Sequence, residues 1–288
     1  MLGRVGAIKS DRDGGGVPLR PIRPRPLQAA GPEWQAYLIE AWALGCFMMA
    51  VGVVVTLLEA SSSPLRAWIQ NADTRRVVMA AAMGVTATVL IYSPWGRISG
   101  AHMNPAVTLA FLRLGKITPR HALGYSFAQI SGGLLGVYLV WAVLGSLFST
   151  PPVSFATTVP GSAGVLIAFL AELLMSTLLM LAILESAARP RLAPYTGLFA
   201  GFLVFAFISI EAPLSGTSIN PARSIASAVP AQQWTAFWLY LVAPVLGMQL
   251  AAALFAARYP LSKVPCAKLC HSARKACIHC GFDPNSKK

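Results

Sequence analysis

Two stretches of the sequence, SGAHMNPAVT and SGTSINPARS, contain the same triplet, Asn-Pro-Ala, shortly after Ser-Gly. Proline favours the first position of a helix, where an N–H would have no partner, and asparagine is a favoured cap just before it. Each triplet therefore predicts a helix start whose free N–H groups and partial positive charge face the preceding loop. The first triplet is Asn104, Pro105 and Ala106, and the second is Asn220, Pro221 and Ala222.

The residue types at these helix starts suit the passage of neutral molecules. Two positive helix ends that face each other oppose cations, including a proton on a chain of waters. The amides of Asn104 and Asn220 can donate hydrogen bonds to a solute with lone pairs. Arg223, directly after the second triplet, adds a fixed charge and further donors. Inside apolar sequence such an arginine must face a polar lumen, so we expect it to line a pore.

Composition places both motifs in a membrane protein. The 288 residues have a mean hydropathy of +0.61, and only 11% are charged, against about 25% in soluble domains. A helix needs about 20 residues to cross the hydrocarbon core of a bilayer. Six apolar stretches are candidates for crossings, of which the second and fifth are short: 34–58, 77–91, 122–147, 164–184, 193–210 and 234–256.

The net charge of +13 is distributed in a way that predicts topology. Basic residues cluster near both termini, before the third stretch and between the fourth and fifth, whereas residues 148–163 contain none. The positive-inside tendency therefore predicts a multi-pass protein of the cell membrane with both termini in the cytoplasm. Arg66, Arg75 and Arg76, on the expected outer side, are exceptions. We expect no nucleic-acid partner for the protein as a whole.

Residues 1–31 are rich in Gly, Pro and Arg, which predicts a disordered basic cytoplasmic arm. The arm either only orients the chain or also contacts nucleic acid or anionic lipid. The predicted channel domain covers residues 32–258, with repeats at about 32–150 and 160–258. Residues 259–288 form a basic, cysteine-rich tail that we also expect in the cytoplasm.

The two halves of the channel domain read as an inverted repeat. The triplets are offset by 116 positions, from Asn104 to Asn220, and each lies between the second and third stretch of its half. Three crossings per half place the halves in opposite orientations, and inverted repeats form transport sites near the midplane. Glu40 and Glu172 lie in the first stretch of each half. We expect them to accept hydrogen bonds from irregular backbone; the alternative is that backbone groups satisfy each acid without any role in transport.

With Arg223, both glutamates and the segment YLVAPVLG, these motifs resemble the aquaporin, or major intrinsic protein, family over residues 33–258. The resemblance implies an all-α membrane fold of six transmembrane helices plus two re-entrant half-helices in an inverted 3+3 repeat. It also implies one pore per subunit, a homotetramer in the lipid bilayer and no cofactor.

The resemblance further implies a second constriction, the selectivity filter, formed by four side chains. Matched to this sequence, they are Arg223, Thr217, Ile208 and Met83, with Gly84 as the alternative to Met83. Strict water channels of the family tend to have an aromatic ring and a histidine where Met83 and Ile208 stand. The filter is closer to plant nodulin-type proteins or aquaglyceroporins, whereas Ser224 resembles the water-channel pattern.

An apolar wall that faces the donors of Arg223 suits small amphipathic solutes. The predicted function is a passive channel for water, glycerol, urea or uncharged metalloid acids that excludes protons and ions. A strictly water-selective channel is one alternative. Another is a non-conducting structural or regulatory protein whose working part is a metal-binding or redox-active tail. No nucleophile, metal set or phosphate-binding loop is evident in the crossings, so the sequence does not predict an enzyme or an energised pump.

His102 and the tail cysteines leave more than one interpretation open. His102 either handles protons or, as we expect, braces its loop. Cys266, Cys270, Cys277 and Cys280 lie among basic residues and the two tail histidines, His271 and His279. They could bind zinc or sense redox state, or belong to an unstructured tail with free thiols; we assign no metal and keep the four as candidates.

Overall fold

The computed structural model describes residues 33–264, 266–270 and 277–280. The predicted arm, residues 1–31, lies outside the described residues. Within this described part of the chain, six helices are long and apolar enough to cross a membrane: α1, α3, α6, α8, α9 and α11. In chain order the α-helices are α1 (Glu33–Glu59), α2 (Pro64–Trp68), α3 (Ala72–Tyr92), α4 (Gly96–Ser99), α5 (Pro105–Arg113), α6 (Pro119–Leu144), α7 (Ser146–Ser149), α8 (Val165–Ala187), α9 (Thr196–Ser215), α10 (Pro221–Ala231) and α11 (Trp238–Arg258).

Over the residues that the structure describes, the predicted all-α fold with six crossings and two half-helices is confirmed. The half-helices are α5 and α10, of 9 and 11 residues, each too short to cross a bilayer alone. Each packs against the last spanning helix of the opposite half: α5 contacts α11, and α10 contacts α6. The two repeats are therefore interlocked around the half-helices.

The second spanning helix starts five residues earlier than the apolar pattern predicted, because its first turn is held by polar contacts. Both guanidinium nitrogens Nε and Nη2 of Arg75 donate to the carboxylate of Glu59, at 2.9 and 3.1 Å. Arg76 Nε donates to the carbonyl of Ser209, at 2.9 Å. These two arginines, exceptions to the charge pattern, bind the N-terminal end of α3 to α1 and α9.

Close helix crossings occur where small residues let backbones approach, as is common in membranes. At Gly132 in α6, an added Cβ would lie only 2.0 Å from the carbonyl oxygen of Ala41 in α1. At Gly201 in α9, it would lie 2.6 Å from the carbonyl oxygen of Gly84 in α3. These crossings bring the helices together around the half-helix starts.

Candidate functional site

Both half-helices begin at the asparagine of an Asn-Pro-Ala triplet. Asn104 Oδ1 accepts the backbone N–H of Ala106 at 2.9 Å. Asn220 Oδ1 accepts the N–H groups of Ala222 and Arg223, at 3.0 and 3.3 Å. The following proline has no N–H to leave unpaired, so the cap and the proline together fix the helix start.

The same two asparagines join the repeats to each other. Asn104 Nδ2 donates to the carbonyl of Ile219, and Asn220 Nδ2 donates to the carbonyl of Met103, both at 2.7 Å. Each amide uses one N–H in this way and retains a second, and both asparagines line the central cavity. The two helix starts are therefore held near each other, with their donors directed into one space.

The loops before the triplets have an irregular backbone. The non-glycine residues Ala101, Met103, Thr217 and Ile219 have φ values of 53, 50, 52 and 46°. These values lie in the left-handed region, which costs of order 1–3 kcal/mol for each such residue. Such a backbone persists at membrane depth only where neighbouring groups satisfy its N–H donors.

In the first repeat Glu40 supplies the acceptors. Its Oε1 accepts from Ser99 Oγ at 2.7 Å and from the N–H of His102 at 3.0 Å. Its Oε2 accepts from the N–H of Met103 at 2.7 Å and from Gln129 Nε2 at 2.9 Å. Glu40 is fully buried, so these contacts replace water around the carboxyl group.

In the second repeat Glu172 does the same, and its three donor residues each lie 116 positions after the matching residue that contacts Glu40. Its Oε1 accepts from Ser215 Oγ at 2.7 Å and from the N–H of Ser218 at 2.6 Å, and Oε2 accepts from the N–H of Ile219 at 2.6 Å. Tyr240 OH donates to the carbonyl of Ser215 at 2.6 Å. The role in bracing these loops stays a prediction for Glu40 and Glu172, and these hydrogen bonds are the contacts that such a role requires.

One cavity of about 490 Å³ passes between the half-helix starts. Met83, Ile208, Thr217 and Arg223 all line it. Gly84 lies instead at the crossing of α3 and α9, where an added Cβ would lie 2.7 Å from the Gly201 carbonyl. Of the two candidates in the second crossing, the structure therefore brings Met83 to the cavity. That these four residues form the filter stays a prediction.

Arg223 is poised to donate into the cavity. Within the described residues, its Nη1 is buried and has no hydrogen-bond partner. The backbone at this residue is fixed by the cap of Asn220, which holds the start of α10. A buried guanidinium donor without a protein partner is available to a polar solute.

Glu211 is a buried acid near the cavity that the sequence analysis did not single out. Its Oε2 accepts from Thr217 Oγ1 at 2.8 Å, so it orients a side chain that lines the cavity. The fifth apolar stretch ended at Ile210, whereas α9 continues through Pro213 to Ser215. An acid at the end of that stretch, three residues after Ile208, was the available signal.

We expect Glu211→Leu, which removes the acceptor, to change the ratio of glycerol to water permeability by about threefold, the equivalent of one hydrogen bond of ~0.7 kcal/mol. Stopped-flow light scattering of proteoliposomes measures this ratio. Thr217→Val should give a shift of similar size, and the double variant should add little, because both changes remove one contact. Fully additive shifts would show that Glu211 does not act through Thr217.

Both ring nitrogens of His102 lie within hydrogen-bond distance of a partner. Nδ1 lies 2.9 Å from Thr108 Oγ1, and Nε2 lies 2.7 Å from the carbonyl oxygen of Ala267. The first contact agrees with the bracing role that we expected. The second was not foreseen, because it joins the loop to the C-terminal tail.

The tail cysteines do not all lie together. The Sγ atoms of Cys266, Cys277 and Cys280 are within 4.8 Å of one another, whereas Cys270 is not part of this group. His271 lies outside the described residues. Three of the four candidate cysteines are therefore placed where one ion could contact them.

Comparisons with known proteins agree on the family. The profile of the family described as "MIP: Major intrinsic protein" matches residues 29–255. A "Probable aquaporin NIP-type" from Nicotiana alata is 36% identical over 166 residues, which cover 57% of this chain and 59% of that protein. Nodulin-26 from Glycine max is 36% identical over 165 residues, 57% of this chain and 59% of that protein. The chain thus spans less than two thirds of the length of these relatives.

A solved structure shares the fold. The X-ray structure of the aquaglyceroporin from Plasmodium falciparum has a TM-score of 0.66 and 19% sequence identity, and the match covers 77% of this chain and 95% of that one. The capped half-helices, the interlocked repeats and the family match lead to one conclusion: this chain is a membrane protein of the major intrinsic protein family.

Proposed function

We propose that this protein is a passive channel for water and small neutral solutes and that it excludes protons and ions. The observation that carries the proposal is the single cavity lined by Asn104, Asn220 and Arg223, at the starts of two half-helices. Each start directs its partial positive charge into that cavity. A cation or a protonated water meets this field, whereas a neutral molecule with lone pairs gains hydrogen bonds.

The cavity walls support solutes larger than water. Met83 and Ile208 contribute apolar side chains, and Met83 can adapt its shape. Thr217 and Arg223 contribute polar groups to the same space. Glycerol, urea and uncharged metalloid acids combine an apolar body with hydroxyl or amide groups, so they match both kinds of wall. The relatives named as aquaporins support water as one of the permeants.

The proposal includes an assembly and an orientation. We place the protein in the cell membrane as a homotetramer, with one pore per subunit and both termini in the cytoplasm. The basic clusters near both termini support the orientation. Large apolar side chains exposed on the spanning helices, such as Leu123, Phe127 and Val143 on α6, suit contact with lipid or with a neighbouring subunit.

We expect proteoliposomes that contain the protein to shrink in an inward gradient of glycerol or urea and then to swell again as solute enters. Stopped-flow light scattering measures both phases, and a pH-sensitive dye inside the vesicles should report no added proton current. Empty vesicles prepared in parallel are the control. Boric acid, which is uncharged at neutral pH, extends the series to metalloid acids.

The outcomes separate the candidate functions. Rapid shrinkage without renewed swelling would identify a strictly water-selective channel. Rates equal to those of empty vesicles, under conditions in which the tail is released as described below, would contradict the channel proposal and favour a structural or regulatory role.

A further inference from the structure

The C-terminal tail lies on the loop that precedes the first half-helix. The N–H of Leu269 donates to the carbonyl of Gly100 at 3.2 Å, and Lys268 Nζ donates to the carbonyl of Arg97 at 3.2 Å. The carbonyl of Ala267 lies 2.7 Å from His102 Nε2. Three consecutive tail residues therefore contact one loop, although they lie more than 160 positions further along the chain.

The tail also reaches the cavity itself. Leu269 is one of the residues that line the central cavity, and it is 5% exposed. The tail follows the end of α11, and the loop that Leu269 contacts at Gly100 follows the end of α3, so Leu269 lies on that side of the cavity. At this mouth of the cavity, on the side of the tail, its apolar side chain occupies part of the space that the proposed solutes would cross.

The residues on either side of this contact carry a cluster of thiols. Cys266 precedes Ala267 directly, and its Sγ lies 3.3 Å from Cys277 Sγ. With Cys280 the three Sγ atoms all lie within 4.8 Å of one another. Cys266 and Cys277 are buried and Cys280 is exposed, so the cluster has one side open to solvent.

We propose that this cluster is a zinc site that fastens the tail over the mouth of the cavity. Three sulfur ligands at about 2.3 Å from a tetrahedral Zn²⁺ lie about 3.8 Å from one another, a spacing that these thiols reach with small adjustments. Cysteine thiolates are soft ligands that Zn²⁺ prefers. The open side beside Cys280 leaves the fourth position to water.

The charge of the proposed zinc complex is compatible with the charged groups around it. Binding releases one proton from each of three thiols, and the product is a zinc tris-thiolate of net charge −1, with no electron transferred. Lys116 lies close enough to Cys266 and Cys280 to interact with them electrostatically. Its positive charge offsets that of the complex, as cationic neighbours do at other thiolate sites.

Zinc would lower permeability because one of its ligands, Cys266, is close in sequence to Leu269. Cys266 is one residue before Ala267 and three before Leu269, so a ligand bond at Cys266 holds the blocking segment directly. Without the ion, the segment is held by a few hydrogen bonds of about 1 kcal/mol each and by the burial of Ala267 and Leu269, so it leaves the mouth more readily than when Cys266 is bound to a metal. This step rests on the proposed channel function, whereas zinc binding itself does not.

The first test measures zinc on the full-length protein in detergent. After reduction and removal of metal by a chelator, the protein is given Zn²⁺ and desalted, and bound zinc is measured by mass spectrometry. We expect about one zinc ion per chain, and replacement by Co²⁺ should give thiolate-to-cobalt charge-transfer absorption. Cys277→Ser and Cys280→Ser should weaken zinc binding about tenfold or more.

Two cysteine variants serve as matched controls. Cys270→Ser changes a tail thiol outside the cluster, and Cys46→Ser changes a thiol in α1. Both should bind zinc as the unchanged protein does. Equal zinc retention by Cys277→Ser, or no retention by the unchanged protein, would overturn the site. A disulfide between Cys266 and Cys277 that persists after reduction would do so too.

The second test measures permeability of the same proteins in liposomes. Zn²⁺ should lower glycerol and water permeability several-fold in the unchanged protein, a chelator should restore it, and Cys277→Ser should not respond. Bound zinc with unchanged permeability would refute the blocking role and leave the metal site. Absence of permeability in the chelated protein, in Cys277→Ser and in Leu269→Ala would count against the channel function, whatever the zinc measurement shows.

Discussion

Glu172→Ala should destabilise the folded protein by about 3–6 kcal/mol, because three buried donors lose their acceptor at once. They are the hydroxyl of Ser215 and the N–H groups of Ser218 and Ile219. The loop that they belong to holds Thr217 and Ile219 at positive φ, so it has little tendency to keep its shape alone. Thermal unfolding in detergent, followed by size-exclusion or fluorescence, should shift down by about 10 °C.

Two variants distinguish this explanation from a general effect on α8. Glu185→Ala removes an acid of the same helix that pairs with Arg189 in a partly exposed ion pair, which is worth about 0–1 kcal/mol. Glu172→Gln keeps an oxygen for Ser215 and Ser218 but places an NH₂ group at the N–H of Ile219, so its loss should be intermediate. If Glu185→Ala destabilises the protein as much as Glu172→Ala, the bracing of the loop is not the cause.

Arg223→Val is expected to raise glycerol and urea permeability several-fold and to allow proton leakage. The change removes the one buried guanidinium donor of the cavity that lacks a protein partner among the described residues, and with it a fixed positive charge. A wider, less charged cavity opposes bulky solutes and protons less strongly. Light scattering with each solute, together with an internal pH dye, measures both effects.

Two control variants, Arg223→Lys and Arg258→Val, help to interpret the effect of Arg223→Val on permeability. Lysine keeps the charge but offers fewer donors in a different geometry, so proton exclusion should survive better than solute selectivity. Arg258, at the end of α11, does not line the cavity, so its removal should leave both properties unchanged. Unaltered solute ratios in Arg223→Val would contradict the place of Arg223 in the filter.

Much of the fold could be predicted from local sequence. The six crossings follow from hydropathy because the backbone in lipid must satisfy its own hydrogen bonds, which leaves long helices as the simplest solution. Their ends were less predictable. The pattern began the second crossing at Val77, but α3 starts at Ala72, because Glu59, 16 residues earlier, neutralises Arg75.

The candidate site was predictable where the chemistry is local. Asn104 and Asn220 cap helices whose next residue is proline, and the three capping bonds span only two or three residues. The two glutamates were identifiable because a lone acid in an apolar helix needs partners. The sequence pattern did not predict Glu211 as a site residue, because it lies just beyond the apparent end of its apolar stretch. Hydropathy does not reveal that α9 continues past it.

The sequence by itself determined the two helix starts, the inverted order of the halves and the need for a buried acid in each. Local capping preferences and the exclusion of unpaired polar groups from lipid are sufficient for these features. Only the tertiary structure decided that Met83 faces the cavity while Gly84 meets Gly201, since helix rotation depends on packing against neighbours. It also decided that Leu269 lies at the mouth, because contacts between segments this far apart leave no periodic trace in the sequence.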